Sequence, residues 1–222
     1  MPARLKPLFA GVERVLDSHR GLDYGALEVA RAFGKRLDVA PVTATVTRLV
    51  CDLNRSLHHR DLFSKFTRTL SAEKRAAILA QHYWPYHLAV ERSVAHTIAG
   101  GRSVLHVSAH SFTPALHGEV RDCDIGFLYD PSRATECKFV DAWYAALRDA
   151  APALTLRRNY PYRGVADSLV THLRGQHGAR SYVGLEFEVN QKHVGSPGWR
   201  ALVAILARSL ATAAEHHTGL PL

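Results

Sequence analysis

Ser103-Val104-Leu105-His106-Val107-Ser108-Ala109, running straight into His110-Ser111-Phe112-Thr113-Pro114, is the stretch whose reading decides the fold. Its first seven residues are short and apolar enough for a buried strand, and polar groups gather at its carboxyl end. On the upstream side, Ser71-Ala72-Glu73 opens a helix over residues 71–99, expected to bend at Pro85, where a backbone donor is lost, and to stop at Gly100-Gly101. Before it, residues 24–37 place Leu27, Ala30, Arg31 and Gly34 at helical spacing, with Asp23 as N-cap and Lys35 and Arg36 in the last turn. Residues 41–50 are β-branched and alternating, which predicts a strand, followed by a polar loop over 52–60. On the downstream side the pattern predicts strands over 125–129, 154–158 and 181–189, and helices over 136–149, 163–176 and 197–216.

Strands separated by helical stretches predict a three-layer α/β protein, with a mostly parallel mixed sheet covered by helices on both faces. Ligands bind such sheets beyond the carboxyl ends of the strands. The polar residues expected there are Asp52, Asn54, Arg55, His110, Ser111, Asp130, Asn159, and Glu186 or Glu188.

The 222 residues, 47% of them hydrophobic, with a mean hydropathy of -0.11, suit one globular domain over 1–222 and exclude disorder, collagen and coiled coil. The longest mainly apolar stretch, residues 199–212, is interrupted by Arg200 and Arg208 and falls short of the roughly 20 residues that span a bilayer. No membrane partner is expected. The first residues carry no secretory signal, which points to a cytoplasmic location. Three cysteines without C-x-x-C spacing predict reduced packing residues. The net charge of +8 is spread as single arginines, without a nucleic-acid-binding signature, so it suits small anionic substrates. Fourteen histidines direct attention to metal or acid-base chemistry.

His110 at the end of a strand can present an imidazole nitrogen to a metal from a rigid support, or it can be a satisfied structural histidine. His106 lies on the same face but about 13 Å away at strand spacing, too far to share an ion, and is expected to be buried in the sheet. His19 and Asp23 are separated by Gly21, a loop offering one ligand candidate. Asn54 and Arg55 combine an amide with a planar guanidinium, suited to a carboxylate; a surface salt bridge between Asp52 and Arg55 is the plainer account. Glu186 and Glu188 share one face of the last strand, either solvated or turned to a site where Glu188 could take a proton from a metal-bound water.

Several segments taken in order resemble the N-formylglutamate amidohydrolase family. They are His19-Arg20-Gly21-Leu22-Asp23-Tyr24-Gly25-Ala26-Leu27, Arg48-Leu49-Val50-Cys51-Asp52-Leu53-Asn54-Arg55, Ser108-Ala109-His110-Ser111-Phe112-Thr113-Pro114, Asp124-Ile125-Gly126-Phe127-Leu128-Tyr129-Asp130-Pro131, Asn159-Tyr160-Pro161-Tyr162-Arg163-Gly164 and Glu188-Val189-Asn190-Gln191. The resemblance implies a zinc-exopeptidase-like fold and a mononuclear zinc hydrolase that cleaves the amide of an N-formyl or other N-acyl acidic amino acid. It implies His110 and Asp23 at the metal, Asn54, Arg55, Asn159 and Arg163 on the anionic substrate, and Glu188, or less well Glu186, activating a zinc-bound water. It also implies an N-terminal strand bearing a Cys-Glu-His-Gly-Gly-Asn-like segment ahead of Pro2, so one zinc ligand is expected to be missing here. The competing expectations are a zinc amidase or peptidase on a larger anionic substrate and a metal-poor carboxylate-binding protein. Oligomeric state is left open by the sequence.

Overall fold

The computed structural model describes residues 3–216. The elements in order are α1 (Glu13–Leu16), α2 (Ala26–Leu37), α3 (Ala72–Ile78), α4 (Trp84–Ala99), β1 (Val104–Phe112), β2 (Ala115–Leu116), β3 (Glu119–Val120), β4 (Ile125–Leu128), α5 (Ala134–Ala150), β5 (Leu156–Arg158), α6 (Leu169–Gln176), β6 (Tyr182–Asn190) and α7 (Trp199–His216). The decisive stretch is a strand, and it continues through His110 and Ser111 rather than ending before them.

Four strands form one mixed sheet in the order β1-β6-β4-β5. The pairs β1/β6 and β4/β5 are parallel, while β4 runs antiparallel to β6. Two strands therefore point each way, which corrects the mostly parallel expectation at the centre of the sheet. Along β6, Val183, Leu185, Phe187 and Val189 turn to one face and pack against α2, α5 and α7. There Trp143 stacks on Phe187 with ring centroids 4.5 Å apart, and its indole N–H donates to Ser209 Oγ at 3.0 Å, tying α5 to α7. Helices α4 and α6 cover the opposite face through Val90, Val94, Leu169, Leu173 and Tyr182. Helices thus flank the sheet on both sides. No described helix is long and apolar enough to cross a membrane.

Residues 41–50 form no strand. Propensity for extended backbone is not enough without a neighbour to complete the ladder. Residues 41–45 are exposed, and the segment ends in a turn closed by Val50 N–H on the Thr47 carbonyl. Residues 42–46 instead wall a cleft of about 220 Å³ with Leu27, Ala30 and Tyr86. Asp23 does not cap α2 either; Gly25 precedes the helix at φ 80°, and the Asp23 side chain is used elsewhere. The helix expected over 71–99 is continuous in direction of chain, but a π-helical turn, Leu79–Tyr83, sits just ahead of Pro85 and absorbs its missing donor. The expected helix over 163–176 begins only at Leu169, because residues 163–168 are held as a loop by long-range bonds and Ser168 Oγ caps α6 by accepting Thr171 N–H. The cysteines are free, as expected, with Cys51 and Cys123 buried.

Asp124, just before β4, joins three segments at the end of the sheet. Its carboxylate accepts from Thr155 N–H at 2.7 Å, Lys192 Nζ at 2.7 Å and His193 Nε2 at 2.6 Å. Burial works to raise its pKa, and the donors from Lys192, Thr155 and His193 outweigh burial and hold it below the ordinary value. A depressed folded-state pKa gives stability that is present above the unfolded value and lost as pH falls through the folded one. Asp124→Asn is therefore expected to cost about 1–3 kcal/mol at pH 7. In urea titrations across pH, the gap to the parent protein closes below about pH 4; a gap independent of pH would contradict the ionic account.

Candidate active site

The parallel register of β1 and β6 sets Ser108 beside Glu186 and His110 beside Glu188. All four side chains leave the sheet on the face opposite Phe187, and both glutamates are 6% exposed. The solvated reading of this carboxylate pair is thus replaced by a buried one. Across β6 lies Gly126 of β4, opposite Glu188. A Cβ there would collide with the Tyr160 carbonyl and crowd the Glu188 side chain, so only glycine leaves room for the loop that follows β5.

Asp23 reaches this face from the turn ahead of α2. Its Oδ2 accepts from His110 Nδ1 at 2.8 Å, and its Oδ1 pairs with Arg48 Nη2 at 2.6 Å. His110 Nε2 then faces Ser108 Oγ at 3.0 Å, Asn54 Nδ2 at 3.5 Å and Glu186 Oε1 at 3.7 Å. Burial would lower the His110 pKa, but the hydrogen bond and charge of Asp23, with Glu186 and Glu188 behind it, push it up to about 9. Burial likewise acts to raise the Asp23 pKa and is overcome by Arg48 and His110, leaving it lowered. Glu188 is different. Burial dominates, aided by Asp23 and Glu186 against His110 and Arg48, and pushes its pKa up to about 7, while its Oε2 is buried with no hydrogen-bond partner among the described residues.

Asn54 is bound at both ends of its amide: Nδ2 donates to Glu186 Oε1 at 2.6 Å, and Oδ1 accepts Leu169 N–H at 3.1 Å. Arg55 Nη1 donates to the Asp167 carbonyl at 2.5 Å, its Nε lies 3.9 Å from Asp52, and Ser56 N–H donates to Asp167 Oδ2 at 2.9 Å. A cavity of about 180 Å³ opens over this network, lined among others by His19, Arg55, Tyr162, Arg163, Glu186 and Glu188. Arg55 and Arg163 thus reach the cavity wall. Asn159 does not line it. Its Oδ1 accepts Tyr129 N–H at 3.1 Å and Gly164 N–H at 2.9 Å, shaping the loop that carries Arg163. Asp130 also lies away, because β4 runs against β6 and its carboxyl end faces the other edge of the fold. His106 accepts no metal role: its Nδ1 meets Tyr182 O–H at 2.7 Å, and burial pushes its pKa down to about 4.

Sequence reasoning gave no role to Arg48, Ser108 or Asp167. Arg48 was hidden at the end of an expected strand, and Asp167 inside an expected helix; only the backbone path brings them here. Among the described residues, no group of three or more His, Cys, Asp or Glu side chains is arranged to hold a metal. His110 Nε2 and Glu186 Oε1 are the nearest pair of donors, with the Asn54 amide nitrogen beside both, and Asp23 is already committed to His110 and Arg48. Catalytic zinc takes three protein ligands. This donor set does not supply them.

The sequence profile of the N-formylglutamate amidohydrolase family matches residues 1–194. Among solved structures, the chain is similar to a gene product of Agrobacterium tumefaciens, with 28% identity and a TM-score of 0.79, over 97% of this chain and 86% of that one. It is also similar to an N-formylglutamate amidohydrolase from Ralstonia eutropha JMP134, with 19% identity and a TM-score of 0.72, over 98% of this chain and 89% of that one, a likeness of fold. No curated protein matches the chain.

The double bond-making of Asn54 gives a direct test of the wall. Asn54→Ala strips Glu186 of its 2.6 Å donor and Leu169 N–H of its acceptor, so it is expected to lower stability by about 1–3 kcal/mol. Denaturant unfolding checks this, and parent-like stability would mean that the two bonds are not made together.

Proposed function

The chain belongs to the N-formylglutamate amidohydrolase family, hydrolases that act on an amide, and from that premise we propose that it cleaves an N-formyl or other N-acyl acidic amino acid, with Glu188 as the general base. The observation that carries this reading is the unpartnered Glu188 Oε2, buried beside His110 on the cavity floor. A base works best with a pKa near the working pH, and burial has raised that of Glu188 to about 7. A water molecule held by the Glu188 carboxylate gives up its proton to it as the water oxygen attacks the acyl carbon. The negative charge that develops on the acyl oxygen is opposed by the His110 imidazolium. As the carbon–nitrogen bond breaks, Glu188 returns the proton to the leaving amine, giving formate and the free amino acid when the acyl group is formyl.

Arg55 and Arg163, both on the cavity wall, supply the guanidinium groups that hold the substrate carboxylate and fix the amide against the base. The small volume favours an amino-acid derivative over a peptide end or cell-wall fragment. Zinc is expected from the family resemblance alone, and no step here passes through it.

Release of formate from N-formyl-L-glutamate tests the assignment. Glu188→Gln keeps the shape of the side chain and removes the base, so kcat is expected to fall by about 10²–10⁴-fold with little change in KM. A variant that keeps the full rate takes Glu188 out of the role, and a parent protein that binds the substrate without turnover makes this a carboxylate-binding protein.

A further inference from the structure

The cations around the cavity divide into two kinds. Arg48 is paired with Asp23 at 2.6 Å, and Arg55 is held by the Asp167 carbonyl with Asp52 nearby. Arg121 has no carboxylate partner within ion-pair distance among the described residues. Its guanidinium instead lies 5.1 Å from the centre of the Tyr162 ring and 5.9 Å from that of Phe112, and Nη1 donates to Tyr162 Oη at 3.2 Å. Both rings line the cavity.

The backbone of Arg121 is fixed as well. It follows β3, where the β2–β3 hairpin returns toward the sheet, and its N–H donates to the Pro114 carbonyl at 2.8 Å. Its own carbonyl accepts from Cys123 N–H at 2.9 Å. Leu116 of the same hairpin lines the cavity. Arg121 is therefore held on a braced support beside two rings of the cavity wall, with its charge over aromatic faces and, among the described residues, no side-chain hydrogen bond besides that to Tyr162. Rings hold an arginine plane without neutralising it.

We propose that Arg121, oriented by Tyr162, is the specificity residue that binds the second carboxylate of an acidic N-acyl amino acid at the cavity mouth. This rests on the amidohydrolase reading above and adds to it a division of labour: Arg55 and Arg163 take one carboxylate, and Arg121 takes the other. His19 supports the placement, since it lines the same cavity and its pKa is lowered by burial and then by the charges of Arg20, Arg121, Arg48 and His117. The mouth is thus cationic. The acids Glu186 and Glu188 lie on the floor, and Asp52 and Asp167 are engaged with the Arg55 segment. An anionic side chain entering the cavity meets unneutralised guanidinium before it meets carboxylate.

The experiment compares N-formyl-L-glutamate with N-formyl-L-glutamine, which has the same shape without the second charge. For Arg121→Gln the selectivity for the glutamate compound, as a ratio of kcat/KM values, is expected to drop roughly tenfold or more, and the drop appears in KM. Arg121→Lys restores part of it, and Tyr162→Phe, which keeps the ring and removes the hydroxyl, gives a smaller loss in the same direction. A selectivity ratio unchanged in Arg121→Gln overturns the proposal. Calorimetric titration with glutarate and butyrate separates it from the reaction itself: if the parent protein turns over neither compound, the amidohydrolase reading fails. Arg121 is then still supported by glutarate binding weakened about tenfold with butyrate binding kept, and overturned by equal weakening of both.

Discussion

The parallel pairing of β1 with β6 is the constraint on which the site depends. Its register runs without a bulge from Val104 opposite Tyr182 to Phe112 opposite Asn190. A slip of one residue would turn Glu186 and Glu188 into the apolar layer now filled by Leu185, Phe187 and Val189. Register alone does not make two buried carboxylates tolerable. Their desolvation is costly, and it is offset by cations: His110 on the neighbouring strand and Arg48 from the irregular segment after α2. Asp23 links these two, so that a short chain of charges replaces the solvent that Glu186 and Glu188 have lost.

Antiparallel β4 imposes the second constraint. Because it runs against β6, the chain leaving β4 and β5 emerges at the wrong end of the sheet for the cavity. The loop after β5 has to come back. It does so through Asn159, whose one side-chain oxygen receives two backbone N–H groups, and through Arg174, which donates to the Gly164 carbonyl from a buried position on α6. Asp167 then joins that loop to Arg55 and Ser56. The cavity is consequently walled by two irregular segments bonded to each other as well as by residues of β1, β4 and β6.

Local pattern in the sequence was enough where the chain's own periodicity decides structure. β1, β4, β5 and β6 lie where alternating or apolar runs put them, and α2, α4, α5 and α7 where helical spacing did. It failed where a partner decides. Residues 41–50 have the composition of a strand but no neighbouring strand, and residues 163–168 have helical spacing but are drawn away by Asn159, Arg174 and Asp167. The same distinction governs the site. His110, Glu186 and Glu188 sit on strands, so their shared location could be read from alternation. Asn159 was placed by assuming a parallel strand end, and the direction of β4 sends it elsewhere. Arg48 and Arg121 could not be found, because each depends on a loop path that no short-range pattern encodes.

The net charge of +8 gains meaning from this arrangement. Excess charge spread over a surface does little at physiological ionic strength, where the screening length is about 8 Å. Two guanidinium groups, Arg121 and Arg163, with no carboxylate in ion-pair distance among the described residues, act over a shorter range and with walls of low dielectric around them. The floor beneath them is acidic and partly unpaired, which repels a bound carboxylate. On the proposed reading, an anionic substrate is held at the mouth by its charges, while its neutral amide is the part that can approach Glu188. In that reading, attraction above and repulsion below would orient the molecule before any contact with the reacting carbon, and the charges buried in the sheet would become a means of presenting one particular bond.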